Sequence, residues 1–497
     1  MKLKTLPVLS LAAGLSLAQS AASAEWERGA GVSVSSYYSD NICLASRDEE
    51  GDYVATVTPD VRLNGTGART RVALNARVEF NTIDQVDADC PGGAQGGQFL
   101  NRESVIPSGD FLASTEVVEN WLTLDLDAFA GQNPINPFAP GGNDGINARD
   151  NTNITYRWGA GATAARQFSG RTEFFLRYYY NEQTNAVGLL ADSNENRWQG
   201  RFGMLPGTSR FSASVSGQYS EVEFEDSPQR PAFTNELSSA QVNLALQLTP
   251  TFQLNGYAGE EWNVFTSAND DIDGSFWDVG LRWTPNTRVT VDVGTGERFF
   301  GDTPRFNIQY RHKRSLLAAS YARTLQFPRD LRAPEVDPDD PFDPSLGELP
   351  GDPLTGSGTP TFLGQSPILN ELFLLRYSFQ ARRTSFSATA SESQQTQLET
   401  LGEGTFRNAG LTATRRLSSL TSLSARIGYR ESEGEGGNAG FFGQNATAWV
   451  GGLSYQRSLG VATSLSLSWQ YVDQESDFDF NAFTENRITL SLRHTFF

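Results

Sequence analysis

Apolar and polar residues alternate along most of the chain, and the last stretch shows the pattern most simply. From Glu485 to Phe497, the apolar residues on one side of an extended chain are Ile488, Leu490, Leu492 and Phe496, and the polar residues on the other side are Arg487, Thr489, Ser491 and Arg493. A period of two predicts a β-strand, because side chains of a strand point alternately to the two faces of a sheet. Phe497 is out of phase, which predicts an extra residue or a bulge. The edge of a soluble sandwich and the wall of a membrane barrel both fit this strand, so the other stretches must decide.

The alternating segments come in pairs that are joined by short polar turns. Gly, Pro, Asn and Ser are the residues that such turns require. The turns are Gly65 to Arg69, Val118 to Asn120, Ser169 to Arg171, Pro206 to Ser209, Thr249 to Thr251, Pro285 to Thr287, His312 to Arg314, Arg382 to Thr384, Leu417 to Leu420 and Leu459 to Val461. These turns predict about 22 antiparallel strands, within a range of roughly 18–24. The strand signal is weakest at residues 110–132 and 303–312.

Longer connections alternate with the short turns. They are Asp84 to Asp110, Gln132 to Asp150, Pro328 to Pro367, Ser267 to Gly274 and Glu431 to Gly443. This alternation is typical of outer-membrane barrels, which have short periplasmic turns and long outer loops. The fold class predicted is all-β, a transmembrane antiparallel up-and-down β-barrel. We expect Pro328 to Pro367 to fold inward as a constriction.

Residues Met1 to Ala24 have the pattern of a secretory signal. Lys2 and Lys4 precede an apolar run, and Ala22-Ser23-Ala24 offers a cleavage site. We therefore expect a cleaved signal peptide at 1–24 and one barrel domain at 25–497. No later stretch is long and apolar enough for a membrane helix, and only a closed barrel then satisfies the backbone within lipid. The predicted location is the outer membrane of a Gram-negative bacterium, reached by Sec export.

Aromatic residues near the strand ends support contact with lipid. They are Tyr37, Tyr38, Trp121, Trp158, Trp262, Trp277 and Trp283. Aromatic girdles at the two membrane interfaces explain the set, whereas ordinary β-propensity explains any single one of them.

The chain has a negative net charge, and arginine supplies most of its positive charges. The formal charge is −19, and removal of Lys2 and Lys4 makes it −21. This balance argues against a nucleic-acid partner, since binding phosphate needs basic clusters. The arginines predicted to line the lumen are Arg71, Arg77, Arg177, Arg311, Arg376, Arg382, Arg426, Arg430, Arg487 and Arg493, and the carboxylates that could answer them are Glu79, Glu173, Glu221 and Glu223. Two interpretations stay open: a charged pore lining, and an arginine–carboxylate network that braces the wall.

Candidate chemistry is sparse. An exported chain with two cysteines predicts a disulfide between Cys43 and Cys90, with two free thiols as the alternative. Asp337, Asp339, Asp340 and Asp343 are weak candidates for binding Ca²⁺, but they lack the spacing of a calcium loop and more simply form a solvated acidic loop. His312 and His494 are far apart and no nucleophile elbow is present, so we expect no enzyme, no catalytic residue and no cofactor.

Several stretches resemble a family of outer-membrane barrels associated with the PEP-CTERM/exosortase systems of exopolysaccharide-producing bacteria. They are Glu297 to Gly301, Phe306 to Leu325, Leu374 to Ser393, Thr412 to Glu433, Tyr38 to Ile42 and Thr58 to Gly67. The resemblance implies an outer-membrane location and a link to surface polysaccharide or protein sorting. It supplies no catalytic residue.

Two functions of different classes follow as hypotheses. The first is a porin-like or export conduit linked to exopolysaccharide or exosortase-type surface systems. The second is a structural or adhesive surface barrel whose acidic loops bind a partner or Ca²⁺, and an outer-membrane enzyme is the least favoured. Expected partners are outer-membrane lipids and lipopolysaccharide, the barrel-assembly machinery and components of polysaccharide export.

Overall fold

The computed structural model describes residues 25–82, 104–134, 152–168, 170–186, 190–204, 209–227, 230–268, 271–326, 367–435, 445–477 and 482–496. The predicted signal at 1–24 lies outside these residues, and the first strand begins at Glu25. Every regular element in the described residues is a β-strand. None of them forms a helix that is long and apolar enough to cross a membrane.

The strands of the first half of the chain are β1 (Glu25–Ser39), β2 (Asp52–Thr66), β3 (Thr70–Asn81), β4 (Val105–Val118), β5 (Leu122–Pro134), β6 (Thr152–Phe168), β7 (Thr172–Asn185), β8 (Ser193–Met204), β9 (Phe211–Phe224), β10 (Phe233–Thr249), β11 (Phe252–Val264) and β12 (Gly274–Asn286). Those of the second half are β13 (Val289–Arg298), β14 (Gly301–Asp302), β15 (Arg305–His312), β16 (Ser315–Gln326), β17 (Ile368–Gln380), β18 (Thr384–Gln397), β19 (Glu403–Arg416), β20 (Thr421–Glu435), β21 (Ala446–Ser458), β22 (Thr463–Ser476) and β23 (Phe483–Thr495).

Each strand of the wall pairs antiparallel with the next along the chain, and the last strand returns to the first. β1 pairs with β23 from Gly31↔Thr495 to Ser39↔Arg487, which closes the barrel. β14 has two residues and pairs with β13 alone, while β13 pairs directly with β15. The wall therefore has 22 strands, and the predicted antiparallel up-and-down barrel is confirmed.

The short turns fall where the sequence predicts them. All ten predicted turns fall at connections between consecutive paired strands, although those at Ser169 to Arg171 and Pro206 to Ser209 include residues outside the described ones. Asn120, Gly170 and Lys313 each have positive φ in such a turn, a conformation that Gly and Asn adopt readily. Both ends of the wall lie on the short-turn side, which is the periplasmic side in barrels of this class.

The outward face of the wall is an apolar band. Val34, Leu244, Ile427 and Leu490 are each about half exposed, because their surroundings in the barrel are lipid rather than protein. The predicted girdle residues Tyr38, Trp121, Trp158, Trp262, Trp277 and Trp283 are also exposed. Tyr37 is wrongly placed by the sequence: it is buried and faces inward, since it is out of phase with Tyr38.

The wall is shortest along the barrel axis at β15, in a region where the sequence gives only a weak strand signal. β15 pairs with β13 over six positions, from Val289↔Tyr310 to Gly294↔Arg305. The connection above it turns back through β14, with φ of 100° at Gly301. Neighbouring ladders such as that between β17 and β18, from Ile368↔Gln397 to Gln380↔Ser385, are much longer.

Candidate functional site: the inner wall and the mouth of the barrel

The connection between β1 and β2 folds into the long-loop end of the barrel. Ile42 and Leu44 are fully buried, although they lie in a loop. Leu44 packs with Val450, Val472 and Phe483, which face inward from β21, β22 and β23. Residues 40–45, which we call the mouth insert, therefore cover the inner wall on this side of the opening.

Side-chain hydrogen bonds hold the mouth insert in place. The Asn41 Nδ2 group donates to the carbonyl oxygens of Ala45 at 2.7 Å and Thr484 at 2.9 Å, and Asn41 Oδ1 accepts the Ala45 amide at 2.8 Å. Asp40 Oδ1 accepts the backbone amide of Asn486 at 2.7 Å. Buried backbone groups of the loop thus find partners within the loop and on β23.

A buried ion pair lies directly below the mouth insert at the closing seam. The Arg487 guanidinium donates to both carboxylate oxygens of Glu485 at 3.0 Å. Ser39 Oγ donates to Glu485 Oε1 at 2.7 Å, and the guanidinium carbon lies 4.9 Å from the centre of the Tyr37 ring. Two side chains of β23 and two of β1 thereby join across the seam.

The structure describes one of the two cysteines that are predicted to form a disulfide. Cys43 lies in the mouth insert, is buried, and is disulfide-bonded. Cys90 is the second of the two cysteines in the sequence and lies outside the described residues. The pairing itself stays a prediction.

A second contact joins loops above the low part of the wall. The Ala268 amide donates to the Leu398 carbonyl oxygen at 2.7 Å, which links the β11–β12 and β18–β19 connections. Arg230, from the β9–β10 connection, donates to Glu399 Oε2 at 2.9 Å. Phe265 and Leu398 are buried in the apolar cluster between these loops. The β11–β12 and β18–β19 connections that meet here lie six strand spacings apart along the wall, or roughly 30 Å.

The inner wall beneath this contact carries an arginine held by two aspartates. Arg305 donates from Nη2 to Asp278 Oδ1 at 2.7 Å and from Nη1 to Asp292 Oδ1 at 2.7 Å. Gly280 and Gly294 make room for it, because a Cβ there would approach the guanidinium to 2.5 Å and 2.8 Å. The pairing is therefore built into the neighbouring strands.

Similar pairs recur around the inner wall. They are Arg157–Asp127, Arg177–Asp125, Arg201–Glu173, Arg298–Glu261 and Arg493–Asp60. Tyr179 and Ser114 add hydrogen bonds to Asp127 and Asp125, at 2.7 Å and 2.8 Å. In these places the arginines brace the wall.

The structure distributes the predicted lumen arginines among different settings. Arg177, Arg487 and Arg493 face inward and are paired with carboxylates. Arg77 Nε donates to Ser108 Oγ at 2.7 Å, and Arg426 Nη2 donates to Gln470 Oε1 at 2.8 Å. The strand register also turns Arg71, Arg311, Arg376 and Arg430 inward. Arg382 is the exception, because it lies in the turn between β17 and β18 and not on the wall.

Two of the four carboxylates predicted to pair with these arginines face the lumen. Glu173 pairs with Arg201, and Glu79 faces inward, next to Ile106 in the register. Glu221 and Glu223 point outward, in phase with the exposed Val215. The partners that the sequence reasoning missed include Asp125 and Asp127, whose alternation with the outward Leu124 and Leu126 was the available signal.

No described part of the chain offers a metal site: no group of three or more His, Cys, Asp or Glu side chains there could hold an ion. The weak Ca²⁺ candidates Asp337, Asp339, Asp340 and Asp343 lie outside the described residues, as does most of the Pro328 to Pro367 connection. His312 ends β15, and His494 lies on the outward face of β23 against Phe496.

At the short-turn end, the inner wall forms a shallow pocket of a different character. Its polar lining comes from Arg311, Lys313, Arg314, Ser315, Ser378, Gln380, Ser385, Ser387, Thr412 and Thr414, and Leu316, Phe379 and Phe386 also contribute. Hydroxyl, amide and cationic groups thus meet here without a carboxylate among the lining residues.

Comparisons with known proteins agree on the fold. A scan of protein-family models and a search of curated proteins both find no match. Among solved structures, the FrpB iron transporter of Neisseria meningitidis is similar, with a TM-score of 0.55 and 11% identity over 94% of this chain and 81% of that chain. The ferric enterobactin receptor PfeA of Pseudomonas aeruginosa, as a mutant in complex with enterobactin, has a TM-score of 0.54 and 12% identity over 95% and 81%. The chain shares with these structures the fold of an outer-membrane β-barrel, and its closed wall and apolar outer band are those of a protein of that membrane.

Proposed function

We propose that the protein is a non-enzymatic conduit for polar, anionic solutes or glycans across the outer membrane. The observation that carries the proposal is the inner wall, where serine, threonine, glutamine and arginine face a lumen enclosed by 22 strands. A circular barrel of this strand number is about 40 Å across between backbones, which is wide enough for an aqueous passage. Solved structures with this fold include a siderophore receptor and an iron transporter, which supports passage rather than catalysis.

The mouth insert is the part of the conduit that we expect to restrict flow. It is held to β21–β23 by the burial of Leu44 and to β23 by Asn41 and Asp40. A loop that is packed on the wall narrows the opening and can be loosened without changing the wall itself. The link to exopolysaccharide or exosortase-type systems remains a proposal that rests on the sequence resemblance.

Single-channel recording in planar bilayers tests the proposal. The chain refolded from Glu25 should give steady conductance, and Leu44→Ala should increase it because the insert loses its apolar anchor. Leu490→Ala is the matched control, since Leu490 lies on lipid-facing β23 and is 51% exposed. We expect the control to conduct like the unchanged protein.

Silence of both the unchanged protein and Leu44→Ala, with heat-modifiable folded protein on gels, would contradict the conduit. It would favour the structural or adhesive barrel. In that case, deleting residues of the long connections should abolish binding of a surface partner while the barrel remains folded.

A further inference from the structure

Several stretches of this acidic chain contain basic residues and no acidic ones, among them residues 61–78 and 196–220, and three such stretches follow one another on β15–β20. These three are residues 306–322, 372–391 and 408–430, which we call the basic sector. The basic sector carries ten arginine and lysine residues, in a chain with a formal charge of −19. Such a separation of charge creates a local field opposite in sign to that of the whole protein.

The fold gathers these stretches into one part of the barrel. They form most of β15–β18 and parts of β19 and β20, together with the short turns between them. Lys313, Arg314, Arg382 and Arg383 lie in the turns, at the short-turn end. The basic sector therefore surrounds the pocket on the inner wall, at the opening that faces the periplasm.

The strand register aligns one inner row across the sector. The successive cross-strand neighbours are Arg311, Leu316, Ser378, Ser387, Thr412 and Arg426. Five strand spacings separate its two arginines, so the row is roughly 24 Å long. Two cations thus bracket a stretch of hydroxyl groups on one curved surface.

The cations of this row differ from the braced arginines elsewhere. Arg311 is exposed, and no carboxylate among the described residues lies within ion-pair distance of it. Arg426 donates to an uncharged amide, that of Gln470. Neither charge is neutralised by the wall, so both are available to a ligand.

We propose that the basic sector is the periplasmic entry site for an anionic polysaccharide, such as a polyuronate, that the conduit carries. This deepens the proposed function and rests on it for the direction of transport. A polymer with a carboxylate on successive sugars can reach both arginines at once, while its hydroxyl groups exchange hydrogen bonds with Ser378, Ser387 and Thr412. An acidic peptide fits less well, because Leu316 is the one apolar side chain of the row, whose other members are hydroxyl-bearing or cationic.

Binding to the full barrel in detergent tests the site independently of conductance. The probe is fluorescently labelled polygalacturonate, with neutral dextran and poly-L-glutamate of matched length as comparisons. The variant is Arg311→Gln with Arg426→Gln. The control is Arg28→Gln with Arg210→Gln, which removes the same number of exposed cations near the same end of the barrel, outside the basic sector and away from the inner row.

We expect polygalacturonate to bind the unchanged protein and the control equally, and the variant about fivefold to tenfold more weakly, as for the loss of two exposed ion pairs. Binding should weaken with added salt because the charges are screened. Equal binding by the variant, equal weakening in the control, or tighter binding of poly-L-glutamate would overturn the proposal. Binding without conductance would refute the conduit and leave the site, whereas conductance without binding would refute the site and leave the conduit.

Discussion

Arg305 and Arg311 lie on the same strand and face the same way, yet they occupy opposite surroundings. Arg305 is held by Asp278 and Asp292 at 2.7 Å, with two glycines shaped around it. Arg311, six residues further on, meets serine and threonine hydroxyls at the open end of the barrel. The comparison teaches that inward-facing arginines of one strand differ in their surroundings. Arg305 is bound by two carboxylates of the wall, whereas no carboxylate is among the residues that line the pocket beside Arg311.

The largest effect on the free energy of unfolding is expected when Arg305 is replaced. Arg305→Gln leaves Asp278 buried without its cation, and we expect a loss of about 3–5 kcal/mol in the free energy of unfolding. Arg311→Gln, the same chemical change on the same strand, should alter it by less than about 0.5 kcal/mol. Urea unfolding of the two variants in lipid vesicles measures both. Equal losses would show that Arg311 also braces the wall.

A smaller effect is expected from the glycine beside Arg305. Gly294→Ala places a methyl group 2.8 Å from the guanidinium carbon, so the side chain must shift and its bonds to both aspartates weaken. We expect a cost of about 1–3 kcal/mol, as for overpacking. Gly451→Ala is the control, since a Cβ there meets Tyr471 Cβ at an ordinary 3.9 Å. A stable Gly294→Ala protein would mean that the space for Arg305 is not limiting.

Ion selectivity tests the different surroundings of the two arginines independently of protein stability. Because the charge of Arg311 is exposed to the lumen, Arg311→Gln should lower the anion-to-cation permeability ratio by about twofold at low salt. The reversal potential across a salt gradient measures it. Lys313→Gln, in the adjoining turn, should act in the same direction, and an unchanged ratio in both would remove the basic sector from the ion path.

A small effect on the free energy of unfolding is also expected outside the lumen. Arg407 on the outward face contacts Glu392 at 2.9 Å and Glu433 at 3.1 Å, and all three side chains are well exposed. Arg407→Gln should cost less than about 1 kcal/mol, because water and salt screen such pairs. Unfolding measured beside Arg305→Gln checks it, and a loss as large as that of Arg305 would show that an exposed pair can brace the wall too.

The wall could be predicted from the sequence because its signals are local. Alternation with a period of two assigns each residue to a face, and the short turns are marked by their own residues, as at Gly170 and Asn120. Placing aromatic residues by their nearness to a strand end ignores this alternation, and it groups Tyr37 with Tyr38 although the two face opposite sides of a regular strand. Arg382 was assigned to the wall for a related reason, since alternation alone does not show where a strand ends.

The candidate site was less predictable because its contacts are distant in sequence. Ile42 and Leu44 lie in a loop, and the inner faces that bury Leu44 come from strands at the far end of the chain. Pairing of Arg305 with Asp278 depends on a register that no single strand reveals. The basic sector, by contrast, is visible as an absence of Asp and Glu, but it acquires meaning only when the strands place it around one opening.

The short strand β15 has a consequence for the surrounding bilayer. Its eight residues, tilted as in other barrels, give a height of roughly 20 Å, against a hydrocarbon core of about 25–30 Å. Phe306, Ile308 and Tyr310 are the outward residues that meet the acyl chains there. The lipid leaflets must therefore thin locally, at a cost of fractions of a kcal/mol for each ångström of mismatch. A barrel with one short sector in its wall therefore imposes an uneven thickness on the membrane around it.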